Sequence, residues 1–105
     1  MSSFVNEFDE LETLIYKGGL RIKAIHFHQD IDMMLIVLNN KKVFQHPISV
    51  YARLKKATYK QLCHYKLIGG GTGVHWPDVD EDLSLKGFLR DEIKNSIRFF
   101  KQKAA

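Results

Sequence analysis

Four glycines in five positions, Gly69, Gly70, Gly71 and Gly73, run straight into Trp76, Pro77 and an acidic knot of Asp78, Asp80, Glu81 and Asp82. Glycine adopts the positive φ that tight turns require, so the chain is expected to turn here. Trp76 offers an anchor that can bury ~150–250 Å², and Pro77 ends whatever strand holds it. The carboxylates then either start a helix or meet a basic segment elsewhere.

Two chemical readings of this stretch fail on spacing. A phosphate-binding P-loop needs a Lys after its last glycine and a helix behind it, whereas Gly73 is followed by Val74-His75-Trp76. The dinucleotide fingerprint fails for lack of the same helix. Asp78, Asp80 and Asp82 occupy the first, third and fifth places of a calcium loop, but Leu83 stands where Gly is required and Leu89 where a bidentate Glu is required.

The 105 residues fit one domain, residues 1–105, and 45% hydrophobic with 27% charged residues is ordinary globular composition. The longest apolar run, Met33 to Leu38, is strand length and far short of the ~18 residues of a membrane span. The opening Met-Ser-Ser-Phe has neither the basic start nor the apolar core of a signal peptide. A lone cysteine, Cys63, closes no internal disulfide, which points to a reducing, cytoplasmic compartment.

Periodicity predicts an α+β fold. Phe4, Val5, Phe8, Leu11, Leu14 and Ile15 lie at helical spacing over residues 3–17, and Gly18-Gly19 supplies the stop. Alternation from Leu20 to His28 predicts a strand with Leu20, Ile22, Ala24, His26 and His28 on one side and Ile25 and Phe27 on the other. Met33 to Leu38 reads as a central strand, Asn39-Asn40 as a tight turn tolerant of positive φ, and Lys42 to His46 as the third strand of an antiparallel meander. Ser49 can cap a short helix, and Thr58-Tyr59-Lys60-Gln61 spells a capping box. Val74 to Trp76 is expected to add to the same sheet. The acidic knot is expected to be a solvated turn, with a short helical turn from Ser84 and a C-terminal helix over residues 90–103.

The net charge of +4 is segregated: residues 33–77 hold seven bases and no acid, while residues 78–82 hold four acids. Arg53, Lys55, Lys56, Lys60 and Lys66 interleave with Tyr51, Tyr59 and Tyr65, the mix that phosphates and stacked bases demand. No helix-turn-helix or RNA-binding signature accompanies them. The same bases can instead pair with the acidic knot. His26 and His28 would share one strand face, but a zinc site needs His46 or Cys63 to converge on them. Cys63 and His64 are neighbours in sequence, which on a helix is no catalytic dyad. Ser84 lacks the elbow of a hydrolase. No enzyme, cofactor or metal is expected.

Residues 47–89 resemble the signature of a bacterial family known as domain of unknown function 2442. The likeness lies in Pro-Ile-Ser-x-Tyr-x-Arg-Leu (Pro47 to Leu54), in Ala57, Thr58 and Gln61, and in the Gly-rich His-Trp-Pro-x-x-Asp-Glu-Asp-Leu-Ser-Leu-x-Gly-x-Leu run (Gly69 to Leu89). Thr72 departs from it, standing where an aromatic such as Tyr is common. The resemblance implies a small α+β fold with an antiparallel sheet, a core near residues 20–89, no assigned catalytic residues, and genes that often sit beside another small protein in pairs resembling toxin–antitoxin operons. The expected function is thus a non-enzymatic interaction module, with Trp76, Asp78, Asp80, Glu81 and Asp82 as partner contacts and the neighbouring gene product or a second copy as partner. Nucleic-acid binding through residues 51–66 is the alternative, and no membrane association is expected.

Overall fold

The computed structural model describes the backbone of residues 7–104 and the side chains of residues 10–95. Helix α1 (Glu7–Glu12) continues as one turn of π-helix, Thr13–Lys17. Residues 3–6 of the expected N-terminal helix lie outside the described residues. Strands β1 (Ile22–His28), β2 (Met33–Leu38) and β3 (Val43–His46) then form an antiparallel meander in that order. A 3-10 turn at Ile48–Val50 and two short helices, α2 (Ala52–Lys55) and α3 (Tyr59–Cys63), lead to a second antiparallel sheet of β4 (Lys66–Ile68), β5 (Gly73–Trp76) and β6 (Glu81–Ser84). Helix α4 (Leu85–Ala104) closes the chain and packs against α1.

The first sheet turns Ile22, Ile25 and Phe27 of β1 and Met34, Ile36 and Leu38 of β2 into the core. Strict alternation separates Ile22 from Ile25 and Phe27, but a bulge between Ile22 and Ala24 shifts the register and returns Ile22 to their face. The hairpin between β2 and β3 also differs from expectation. Lys41, not either asparagine, takes the left-handed conformation at φ 72°. Asn39 is spent on side-chain bonds, accepting from the Arg21 amide at 3.0 Å and donating to the Gly19 carbonyl at 2.9 Å. The capping box forms as read: Thr58 Oγ1 accepts from the Gln61 amide, and the Gln61 side chain accepts from the Thr58 amide.

Residues 66–84 depart furthest from the one-sheet expectation. Val74 to Trp76 do not extend the meander; they are the middle strand of a sheet of their own, with Trp76 paired to Glu81 and Val74 to Leu83. Half of the acidic knot is therefore strand, and only Pro77 to Asp80 turn, with Asp80 at φ 53°. The glycines join the two sheets. Gly71, at φ 111°, lies against β1 so closely that a Cβ there would stand 2.6 Å from the Ile22 carbonyl oxygen. In that position its own carbonyl accepts from the Ile22 amide at 2.8 Å. Gly87 does not interrupt α4, because it falls in the first turn, where its amide bonds to Ser84 Oγ at 3.0 Å. One helix thus replaces the two expected segments.

The core gathers Leu62 of α3, Val74 and Trp76 of β5, and Leu85, Phe88 and Leu89 of α4 against the buried face of the first sheet. Trp76 is fully buried, donates from Nε1 to the Leu62 carbonyl at 3.0 Å, and meets Phe27 and Tyr65 at centroid distances of 6.4 Å. Replacing Trp76 by Ala should cost about 3–5 kcal/mol in urea unfolding. Trp76→Phe should cost clearly less, because it keeps the ring contacts and loses the hydrogen bond.

Candidate functional site

The carboxylates of the knot are placed by the β5–β6 hairpin, and most find partners within the chain. Asp78 Oδ2 lies 2.9 Å from His64 Nδ1, Asp82 Oδ1 lies 2.6 Å from His75 Nδ1, and Asp80 Oδ2 lies 3.7 Å from the Arg53 guanidinium. Arg53 also donates to the Asp80 carbonyl. Glu81 accepts from the Asp82 amide. These pairs are largely exposed, where such contacts contribute ~0–1 kcal/mol each. Trp76 must be taken out of the set of surface contacts, since no part of a buried indole meets a partner docking on the folded chain.

The basic segment is divided by the fold. Arg53 is tied to Asp80, while Lys55, Lys56, Lys60 and Lys66 are exposed on α2, its C-terminal end, α3 and β4. Two of its three tyrosines serve the interior: Tyr65 Oη accepts from the Ile25 amide at 3.0 Å, and Tyr51 donates to Asp91. Tyr59 is 57% exposed. The histidines are divided as well. His26 and His28 project from the outer face of the first sheet, whereas His46 pairs with Met34 and faces the core. Opposite faces of one sheet cannot supply a shared metal site, and among the described residues no three His, Cys, Asp or Glu side chains are grouped to hold an ion.

A cleft of about 520 Å³ opens where the end of β3 and the following 3-10 turn meet α4. His46, Tyr51 and Asp91 line it together with Pro47, Val50 and Asn95. His46 is 2% exposed and lies on Phe88, with centroids 5.6 Å apart and rings tilted by 33°. Its Nε2 is buried without a hydrogen-bond partner, and the nearest acid, Glu92, holds Oε2 4.0 Å away. Burial pushes the imidazole below its ordinary pKa, while Glu92 and then Asp91 oppose that shift. Tyr51 meets Phe88 edge-on at 6.1 Å and donates to Asp91 Oδ2 at 3.2 Å. Burial, and next the Asp91 charge, push its phenol far above the usual range.

The sequence offered no sign that these residues share a cleft. Tyr51 could be read as an aromatic among bases, and His46 as a third zinc ligand. The available signal was the Pro47 to Leu54 segment, whose proline and tyrosine shape one wall.

Fold and cleft together define a small α+β domain of two three-stranded antiparallel sheets, closed by a C-terminal helix. The chain belongs to the family described as protein of unknown function (DUF2442), whose profile matches residues 22–94. That span takes in both sheets and most of the cleft, and begins after α1. A protein of unknown function from Rhodospirillum rubrum ATCC 11170, known from a crystal structure, is similar at 29% identity over 69% of this chain and 87% of its own, with a TM-score of 0.60. An uncharacterized protein from Chromobacterium violaceum, known from a solution NMR structure, shares the fold at 19% identity and a TM-score of 0.62, over 86% of this chain and 82% of its own. No curated protein matches the chain significantly.

The buried histidine makes stability depend on pH. Its folded pKa lies below the ordinary 6.5, so between those two values the unfolded chain holds more proton and stability rises with pH. The contribution is complete above about pH 6.5 and is lost as pH falls toward the folded value. Urea unfolding between pH 8 and pH 5 should show this slope, and His46→Phe should flatten it.

Proposed function

We propose that this protein is a non-enzymatic, cytoplasmic protein-binding module, the antitoxin-like member of a two-gene pair, and that it receives its partner on the outer face of the first sheet. The observation that carries this reading is the apolar strip left open there. Ala24, Met33, Leu35 and Val37 are half-buried, and Val43 is 47% exposed, all on the side away from the core. Burial of such a strip on association is favoured at roughly 25 cal/mol per Å² of apolar surface, before the costs of association. Its charge specifies the partner further. Lys41 and Lys42 stand at the β2–β3 hairpin and Asp30 and Asp32 at the β1–β2 connection on the opposite end, which suits a partner surface with acids at one end and bases at the other. The acidic knot, the docking surface expected from sequence, is drawn into internal pairs and is a poorer one than this strip.

Co-expression with the neighbouring gene product should give one complex on gel filtration. Val43→Glu should dissociate it without lowering the melting temperature of the chain alone. Two independently migrating proteins would defeat the proposal. A wild-type dimer that Val43→Glu converts to monomer would assign the strip to a second copy instead.

A second reading draws support from the four exposed lysines, Lys55, Lys56, Lys60 and Lys66. Binding to single-stranded nucleic acid through them should weaken with salt at a log–log slope of roughly −0.7 per phosphate contact. Changing Lys55, Lys56 and Lys60 together to Gln should abolish it. Binding that ignores salt would remove this reading.

A further inference from the structure

We propose that the open edge of β3 pairs, antiparallel and about a twofold axis, with β3 of a second copy of this chain, so that the first sheets of the two copies run on as one. The contact is made by the backbone of the edge and not by the apolar strip on the face, so it stands whether or not that face takes a partner.

The two edges of the first sheet are finished differently. On β1, the amides of Ile22 and Ile25 are taken by the Gly71 carbonyl and the Tyr65 hydroxyl. β3 lies at the other end of the strand order, with β2 as its one strand neighbour among the described residues. Which of its groups are open follows from the ladder. The Leu38 amide donates to the Lys42 carbonyl at 2.9 Å, and along an antiparallel pair residues alternate between bonding to the neighbour and facing away from it. With Ile36 opposite Phe44 and Met34 opposite His46, Phe44 and His46 give their backbone groups to β2, while Val43 and Gln45 turn theirs outward. The amide of Ile25, opposite Ile36 and free to reach Tyr65, fits the same alternation. No hydrogen bond among the described residues reaches the outward groups of Val43 and Gln45. The strand also lacks the devices that usually blunt an edge: no bulge interrupts its pairing with β2, and Val43–His46 contains no Lys, Asp or Glu. Pro47, with no amide to offer, ends the open stretch.

Symmetry and charge select the occupant. Antiparallel pairing of β3 with itself, centred on Phe44, sets Val43 of each copy opposite Gln45 of the other, so the outward groups of both strands meet in hydrogen-bonded pairs. The two Phe44 side chains, each partly buried against its own core, become neighbours in the close pair at the axis, where aromatic contacts stabilise a sheet. The same register lays Lys41 and Lys42, at the hairpin end of one copy, beside Pro47 and His46 of the other. That end carries Asp32, whose carboxylate accepts from the Ser49 amide at 2.9 Å, and Asp30 in the turn before it. Bases therefore meet acids at both ends of the contact, whereas a parallel arrangement would set like charges together.

The test is sedimentation and amide hydrogen exchange of the full chain over a range of concentrations. An edge contact this short is small among specific interfaces, so dimer should accumulate as the chain approaches millimolar concentration. The Val43 and Gln45 amides should then gain protection by a larger factor than the Phe44 amide, which β2 already holds. Gln45→Pro removes an outward amide and leaves the bonds to β2 in place, so it should abolish the dimer with the melting temperature of the monomer nearly unchanged. Lys41→Glu combined with Lys42→Glu should weaken the dimer at least tenfold. A chain that stays monomeric at every concentration, protection that rises no more at Val43 and Gln45 than at Phe44, or undiminished affinity after reversal of both lysines would each overturn the proposal. So would a dimer that survives Gln45→Pro, and its loss with Val43→Glu would then place the contact on the face.

Discussion

The indole of Trp76 is where the two sheets and the short helices become one body. Its ring fills the space between Phe27 of the first sheet and Tyr65 just before the second, and its N–H holds the last turn of α3 through the Leu62 carbonyl. The second sheet and the two short helices are too small to be stable alone, since strands of three or four residues and helices of four or five need tertiary contacts to persist. An aromatic with a polar edge supplies both the apolar area and the one hydrogen bond that fixes orientation. The glycines then become intelligible as its setting: the chain can return from β4 to β5, and bring Trp76 inward, because Gly69, Gly70 and Gly71 take positive φ where side chains would be strained.

Much of this was legible in the residues. The meander followed from period-two alternation and its turn signals, and the helix at Tyr59–Cys63 from a capping box whose two bonds are both present. What escaped were features set by tertiary contact. Alternation counts residues and cannot register the bulge that puts Ile22 beside Ile25. An acidic run reads as solvated turn, yet Glu81 and Asp82 are strand because Leu83, which follows them, packs against the core and β5 offers a free edge. The helical turn expected from Ser84 and the helix expected over residues 90–103 are one helix because Gly87 falls within its first turn, where its amide has a partner in Ser84.

The site was less legible than the fold for the same reason. The exposed charges that attract notice in a sequence, Asp78, Asp80 and Asp82, turn out to be paired with His64, Arg53 and His75. Of the residues that share a cleft, His46 at a strand end and Tyr51 just after a 3-10 turn are close in sequence, but Asp91 comes from a helix forty residues further on. Period and composition report on neighbours along the chain, and this juxtaposition arises only when α4 lies across the end of the first sheet.

The way β1 is finished bears on how the protein is made. Its outer edge is satisfied by the Gly71 carbonyl and the Tyr65 hydroxyl, both supplied from much later in the chain. A ribosome that has released only the first meander therefore presents a strand with unpaired amides and an apolar inner face, the combination that invites pairing with another chain. Such long-range closure is also slow to form relative to local structure. The vulnerable interval of this protein is thus its synthesis, and the glycine turn, arriving late from the tunnel, seals the edge that the earlier strands leave open.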